Sequence, residues 1–325
     1  AASDVYKRQR KDILIQRSSL PSMAGFDASI YVNMGEMDNK GVDANLEYQT
    51  RIGNKVGLRL FGNLTYSKNK IVFRDEPAMQ YAYQKSEGTR YGEFYGYIAE
   101  GYFQSEEEIK KSPRQMRELA PGDIKYKDLN DDGVIDANDQ CYLGKSWFPS
   151  WSYGMGFNIN YHNFDLALFF QGVSDVSIMA NGGSIDTGNG DWGASGVGIV
   201  PFTGMGLNPS NVITKALDRW TADNPRADAW YPRMTANATT NDNNYVNSTH
   251  WLKDGSYLRL KQASLGYTLE NKKLMDKGIE YLYFYLSGQN LLTFSKFKLW
   301  DPELGSNGAK YPLSRMVTLG MRVSF

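Results

Sequence analysis

Hydrophobic and polar residues alternate along several segments of this 325-residue chain, as they do in β-strands with one apolar face. In VDANLEYQTR, apolar side chains stand at every second position from Val42 to Tyr48, with charged or amide groups between them. WSYGMGFNINY, residues 151–161, places Trp, Tyr, Met, Phe and Ile opposite Ser, Gly and Asn. MVTLGMRVSF alternates in the same way up to Phe325. The pattern predicts an all-β, antiparallel fold.

The alternation by itself fits two kinds of protein. A soluble β-sandwich buries its apolar face against a second sheet, whereas a membrane barrel turns that face to lipid and keeps a polar interior. Here Trp, Tyr and Phe crowd the ends of the apolar faces, as in the aromatic girdles of membrane proteins. Each segment is also about the 9–11 residues that a tilted strand needs to cross a bilayer.

The connections between strands favour the barrel. Short turns, IGNK, HN and NKKLMDKG, alternate with long connections near residues 69–150 and 173–256. Membrane barrels have short periplasmic turns at one end and long external loops at the other. SYLRLKQASLGYTL changes face near Lys261, so a β-bulge is expected there.

Composition excludes several other functions. The net charge of +0 gives no basic face for nucleic acid, and one cysteine allows no internal disulfide. Mean hydropathy is −0.51, and no apolar run approaches the roughly 20 residues of a membrane-spanning helix. No motif of a hydrolase, metalloprotease or nucleotide-binding enzyme occurs, so we expect no catalysis. Residues 1–9, AASDVYKRQ, fit none of the patterns, so we expect an unreadable or artefactual N-terminus followed by a domain of residues 10–325.

One segment, DLNDDGVIDAND at residues 128–139, has the spacing of an EF-hand calcium loop. Its glycine falls at the sixth place, where the loop turns sharply, and no amphipathic helices flank it. We expect a structural Ca²⁺ that braces a long loop rather than a regulatory switch; the alternative is a solvated acidic turn. The expected ligands are Asp128, Asn130, Asp132, Val134 through its carbonyl, Asp136 through water, and Asp139.

Seven motifs in series resemble the C-terminal part of SusC/RagA-type TonB-linked outer-membrane proteins. They are NKGVDANLEYQT, YGYIAEGYFQSEEEI, APGDIKYKDLNDDGVIDANDQ, DRWTADNPRADAWYPRM, SYLRLKQASLGYTL, SGQNLLTFSKFKLWDPEL and YPLSRMVTLGMRVSF. The resemblance implies the C-terminal portion, about seven or eight strands, of a 22-stranded transmembrane β-barrel with long extracellular loops. The chain shows no plug, TonB box or signal peptide, so we expect a fragment that does not transport alone. Phe325 is expected to serve as the barrel-insertion signal.

The resemblance also implies a function and a location. Such proteins lie in the Gram-negative outer membrane, are energised through TonB and work with a SusD-like surface lipoprotein. We expect import of oligosaccharides. Import of peptides or of iron or cobalamin chelates remains open, as does a secreted, calcium-stabilised glycan-binding β domain. Aromatic loop residues are candidates for stacking on sugars, with loop packing as the alternative: Tyr91, Tyr95, Tyr97, Trp192, Trp220 and Trp230.

Overall fold

The computed structural model describes residues 2–17, 30–53, 55–181, 213–234, 243–308 and 310–325. The strands are β1 (Ala2–Gln16), β2 (Tyr31–Ile52), β3 (Val56–Phe73), β4 (Glu93–Gly96), β5 (Ala99–Tyr102), β6 (Ile124–Tyr126), β7 (Cys141–Ser146), β8 (Trp151–Tyr161), β9 (Phe164–Ser174), β10 (Ser177–Met179), β11 (Leu252–Asp254), β12 (Tyr257–Leu269), β13 (Tyr281–Ser295) and β14 (Met316–Ser324). Two short α-helices are α1 (Glu106–Lys111) and α2 (Lys272–Met275), and 3-10 turns occur at Ala82–Gln84, Ala137–Asp139, Thr214–Leu217 and Pro302–Leu304. Within these ranges, no helix has the length and apolar character to cross a membrane.

Eight strands form one antiparallel sheet in the order β1-β2-β3-β8-β9-β12-β13-β14. Short connections between Ile52 and Val56, between Tyr161 and Phe164, and at 270–280 join neighbouring strands at one end. The connections at 74–150, 175–256 and 296–315 all leave from the opposite end. The predicted alternation of short and long connections is therefore confirmed, and the eight strands of this sheet within the described ranges agree with the expected seven or eight.

The apolar side chains of the sheet form continuous rows across neighbouring strands. One central row runs through Tyr48, Leu60, Phe157 and Leu168, each directly opposite the next. Leu60 is 43% exposed, so no second layer of protein covers this row. From Ile52 to Val42 the apolar rows extend over ten residue steps. At about 3.4 Å per residue and a tilt of about 40°, they cover roughly 26 Å, the height of the apolar band of an outer-membrane barrel.

The opposite face of the sheet is polar. One cross-strand row contains Gln49, Arg59 and Asn158, and Arg59 bonds the carboxylate of Glu47 at 2.7 Å. Phe61 and Phe169 interrupt this face as a stacked pair with ring centroids 6.0 Å apart. A polar face of this kind suits the water-filled interior of a barrel.

The register of β12 shifts between Leu260 and Gln262 in its pairing with both β9 and β13. The irregularity therefore lies at Lys261, where the change of face predicted it. It moves Ala263, Leu265 and Tyr267 onto the same face as the apolar residues of β9, because one inserted residue inverts the facing of those that follow.

Residues 2–9 are continuous with the sheet of the domain that begins at residue 10. In the structure they belong to β1 and pair with residues 38–45 of β2, from Ala2 with Asn45 to Gln9 with Asp38. On the apolar face of the sheet this segment places one apolar side chain, Val5, among Lys, Gln and Ser. The sequence pattern was therefore too weak to reveal a strand.

Candidate functional site

The long connections fold together into one assembly above the end of the sheet. Its hydrophobic core joins residues from both long connections. Trp251, which is fully buried, lies at its centre and contacts the rings of Tyr231, Tyr245 and Trp230. The buried members are Tyr97, Tyr102, Ile124, Tyr126, Ile135, Met179, Ala216, Trp220, Ala229, Tyr231 and Trp251.

A buried polar network connects the two segments of this core. The side chain of Asn244 accepts a hydrogen bond from the backbone N–H of Ile124 at 2.9 Å and donates one to Asp123 at 2.8 Å. Asn243 bonds Gln115 at 2.8 Å, and Arg233 pairs with Asp123 at 2.8 Å. These bonds satisfy polar groups that are removed from water, so the network fixes the relative position of the two connections.

Two ion-pair clusters attach the assembly to the sheet. Arg259 of β12 is 1% exposed and bonds both carboxylate oxygens of Asp301, at 2.6 and 2.8 Å. Glu303 lies 4.0 Å from the same guanidinium. At another point on the rim, Arg90 pairs with Asp175 at 3.0 Å and donates to Ser150 at 2.8 Å. Each cluster joins a strand end to a loop segment.

The six candidate sugar-stacking residues differ in their surroundings. Tyr97 and Trp220 are 3% and 6% exposed, and they pack in the loop core, so they cannot present a ring to a ligand. Tyr95 packs edge-on against Tyr142, and Trp192 lies outside the described residues. Packing is therefore the role of Tyr97 and Trp220.

Tyr91 and Trp230 remain accessible. Tyr91 is 52% exposed and stacks on Phe148 with ring centroids 5.8 Å apart. Trp230 lines a cleft of about 930 Å³ between the 213–215 segment, β11 and the segment that follows β13. Trp300 lines the same cleft, although it was not among the candidates.

The cleft is basic as well as aromatic. Lysines 215, 253, 296 and 298 line it, with Asp254 as the acidic lining residue. The ammonium of Lys253 lies 5.2 Å from the ring centre of Trp230. Burial, reinforced by the charge of Lys215, lowers the pKa of Lys253 to about 8. Sequence analysis missed these lysines because they come from separate segments with no motif in common.

The carboxylates of the acidic loop at residues 128–139 accept hydrogen bonds from the loop's own backbone N–H groups. The carboxylate of Asp128 accepts the N–H groups of Asp131 at 2.7 Å and Gly133 at 2.8 Å, and Asp132 accepts that of Val134 at 2.8 Å. Gly133 has a φ of 82°, which explains the glycine at the sixth place. Val134 also forms a β-bridge with Arg114, which ties the loop to its neighbour.

The remaining expected ligands also form hydrogen bonds within this loop. Asp139 is fully buried, and its two carboxylate oxygens accept the N–H groups of Leu129 at 2.7 Å and Asp136 at 2.9 Å. Asp136 accepts the N–H of Asn138, and the amide of Asn130 donates to Asp132. Across the described ranges, no three His, Cys, Asp or Glu side chains converge as a metal site. The calcium site stays a prediction.

Curated proteins and solved structures of one kind, TonB-dependent receptors and transporters, are similar to nearly the whole chain. No family model matches it. It is 27% identical over 350 residues to TonB-dependent receptor P3 of Formosa agariphila, covering 99% of this chain and 32% of that protein. It is 22% identical over 335 residues to TonB-dependent receptor SusC of Bacteroides thetaiotaomicron, covering 99% of this chain and 30% of SusC. The chain thus spans about a third of the length of these relatives.

Solved structures show the same fold. The RagAB peptide transporter matches with a TM-score of 0.68 and 21% identity, over 99% of this chain and 33% of that one. RagAB in its open-open state matches with a TM-score of 0.69 and 22% identity.

The resemblance to SusC/RagA-type proteins is therefore confirmed, and so is the antiparallel barrel-type fold. TonB-dependent receptors, SusC and RagA are outer-membrane β-barrel proteins of Gram-negative bacteria, which confirms the predicted location. The relatives found are receptors and transporters rather than enzymes.

Proposed function

We propose that the chain is part of a TonB-dependent importer that carries oligosaccharides across the outer membrane. The observation that carries this proposal is the sheet itself. One face is apolar over roughly 26 Å, the other is polar, and a folded loop assembly stands at the end with long connections. An importer needs these three parts: a surface for lipid, a polar interior and an external surface that meets the cargo.

The accessible aromatic residues support oligosaccharides as cargo. Trp230 and Trp300 line the external cleft, and flat indole rings suit the apolar faces of sugar rings. A second candidate is peptide import, which the similarity in fold to the RagAB peptide importer favours. The lysines of the cleft would suit a peptide carboxylate as well as an acidic sugar.

The proposed partners follow from the same relatives. A SusD-like surface lipoprotein would cover the loop assembly from outside, and TonB would supply energy through the rest of the protein. On this proposal the loop assembly, the buried polar network and the two ion-pair clusters hold the external surface in a fixed shape for that lipoprotein.

Uptake by living cells tests the proposal. The encoding locus is deleted in the host, and growth is measured on oligosaccharides and on peptides as sole nutrients. We expect loss of growth on at least one oligosaccharide, restored by the wild-type protein only when TonB is present. Trp230→Ala should reduce the restored uptake, whereas Tyr311→Ala, at a position that is 86% exposed and outside the cleft, should not. Loss of growth on peptides alone would favour the second candidate, and no loss on either would refute import.

For the acidic loop we propose a structural Ca²⁺ held by Asp128, Asn130, Asp132 and the Val134 carbonyl, with Asp136 acting through water. The support is its EF-hand spacing and the turn at Gly133, with affinity at the weak end of about 10⁻⁴–10⁻³ M. Asp139 would complete the set, although its oxygens accept backbone N–H groups.

Calorimetry with Ca²⁺ on the purified protein tests the loop. Asp128→Asn should abolish the heat of binding. Asp131→Asn is the matched control, because Asp131 lies at the fourth place of the loop, which supplies no ligand, and is exposed. If the wild-type protein gives no heat at millimolar Ca²⁺, the loop binds no calcium and is a turn held by its own hydrogen bonds.

A further inference from the structure

A row of lysines crosses three strands on the apolar face of the sheet, near its external end. Lys7 of β1 lies directly opposite Lys40 of β2, and Lys40 lies directly opposite Lys68 of β3. All three are exposed. Directly opposed side chains of an antiparallel pair share a face, with Cβ atoms about 4.5–5.5 Å apart. The three ammonium groups therefore emerge from one small area.

This row lies just beyond the external aromatic girdle. The next row toward the membrane centre holds Val42, Tyr66 and Trp151, and the rings of Tyr66 and Trp151 are 4.5 Å apart. Because side chains of one face recur every second residue, the lysine row stands about 7 Å further along the strands. Aromatic girdles mark the membrane interface, so the lysines reach the level of the lipid headgroups.

Carboxylates balance this charge only in part. On this part of the face Lys7 contacts Asp38 at 3.5 Å, and Lys11 contacts Glu36 at 3.8 Å. Lys40, Lys68 and Lys70 form no ion pair within the described ranges, and Lys70 lies opposite Asp38 in the next row.

Like charges placed directly opposite each other destabilise a sheet, which makes this row costly without an external anion. Lysines at an ordinary membrane interface can extend into water. Here, however, three lysines stand directly opposite one another on three neighbouring strands.

We infer that the lysine row, Lys7, Lys40 and Lys68 with Lys70 beside it, binds the phosphate groups of the glycolipid in the outer leaflet. The row faces away from the barrel interior and lies at the external end, so cargo does not reach it and outer-leaflet headgroups do. An ammonium group is a strong donor to phosphate, and several at one spot exceed the attraction of scattered lysines. The inference does not depend on which nutrient is imported.

The test measures lipid that stays bound to the protein through purification. Wild-type protein and the Lys7→Gln/Lys40→Gln/Lys68→Gln variant are purified from outer membranes of the host in mild detergent. Glycolipid per protein is then counted by mass spectrometry. We expect a drop of about fivefold or more in the variant, because each lysine near an anionic surface contributes measurably. The corresponding triple arginine variant should keep the wild-type amount.

A matched control separates this site from general charge. Lys272→Gln/Lys273→Gln/Lys277→Gln removes three exposed lysines from the short-turn end of the sheet, and it should keep the wild-type amount of glycolipid. The shift in gel mobility on heating confirms that each variant is folded. Equal amounts of glycolipid in the wild-type protein and in the Lys7→Gln/Lys40→Gln/Lys68→Gln variant would overturn the inference, as would an equal loss in the control. Selective loss of an anionic phospholipid instead of glycolipid would overturn it too.

Discussion

An arginine placed in the middle of the apolar face should destabilise the protein in proportion to its depth in the membrane. Leu60 lies in a central row, is 43% exposed and has no protein layer above it. Leu60→Arg should cost about 2–4 kcal/mol, the range for arginine at the bilayer midplane on a lipid-facing strand. That corresponds to about 30- to 700-fold in the folding equilibrium. Val42→Arg, near the external girdle, should cost only about 0–1 kcal/mol.

The assay is denaturant unfolding of the protein in lipid vesicles, followed by tryptophan fluorescence and by gel mobility without heating. Asn63→Arg is the control, since Asn63 lies on the same strand but on the polar face, next to Asn45. It should change stability little, because Arg59 already occupies that face with a carboxylate partner. Equal costs at Leu60, Val42 and Asn63 would refute the assignment of the apolar face to lipid. Equal costs at Leu60 and Val42 alone would point to a protein core instead.

Three further predictions concern the loop assembly. Trp251→Ala should cost about 3–5 kcal/mol of loop stability, because the fully buried indole is removed. Proteolysis of the loops should become rapid while the sheet keeps its heat-modifiable gel mobility, and proteolysis at the wild-type rate would contradict this. Arg259→Met should cost about 3–5 kcal/mol by leaving two carboxylates unpaired, and adding Asp301→Asn should recover part of the loss, which the unfolding midpoint measures. Burial and the charge of Lys253 lower the pKa of His250 to about 4, so the unfolded loops bind the extra proton between pH 6.5 and 4. The free energy of unfolding of the loops should therefore fall on acidification across that window, by at most about 3 kcal/mol. The rate of loop proteolysis measures this pH dependence, and His250→Gln should remove it.

The sheet could be predicted from sequence because its signals are local. Alternation from Val42 to Tyr48 assigns each side chain to a face, and one change of phase at Lys261 is enough to place a bulge. The start of α1 depends on equally local contacts. Ser105 accepts the N–H of Glu108 at 3.2 Å, while the Glu108 carboxylate reaches back to the N–H of Gln104. Each of these features depends on neighbours within a few residues.

The loop core could not be predicted, because its contacts join distant residues without a repeating pattern. Asn243 and Asn244 read as part of a polar loop, yet both are buried and bond the strand that begins at Ile124. The same polarity concealed β1, whose register with β2 shows only in the structure. Tyr97 and Trp220 looked like accessible rings because aromatic residues in loops carry no sign of whether they pack inward.

The described loop segments at the external end are therefore joined to one another and to the strands rather than standing as separate loops. Arg259 and Arg90 are nearly buried and hold loop segments to strand ends, while Asn244 and Asp123 hold the two long connections to each other. A change in any one of these contacts would displace groups on several segments at once, because buried polar networks act as units. A lid protein of the proposed kind would thus meet, in the described loop segments, contacts that are already formed before it binds. The lysine row stands on the outer side of the same rim, so glycolipid bound there would support the strands that carry the loop assembly.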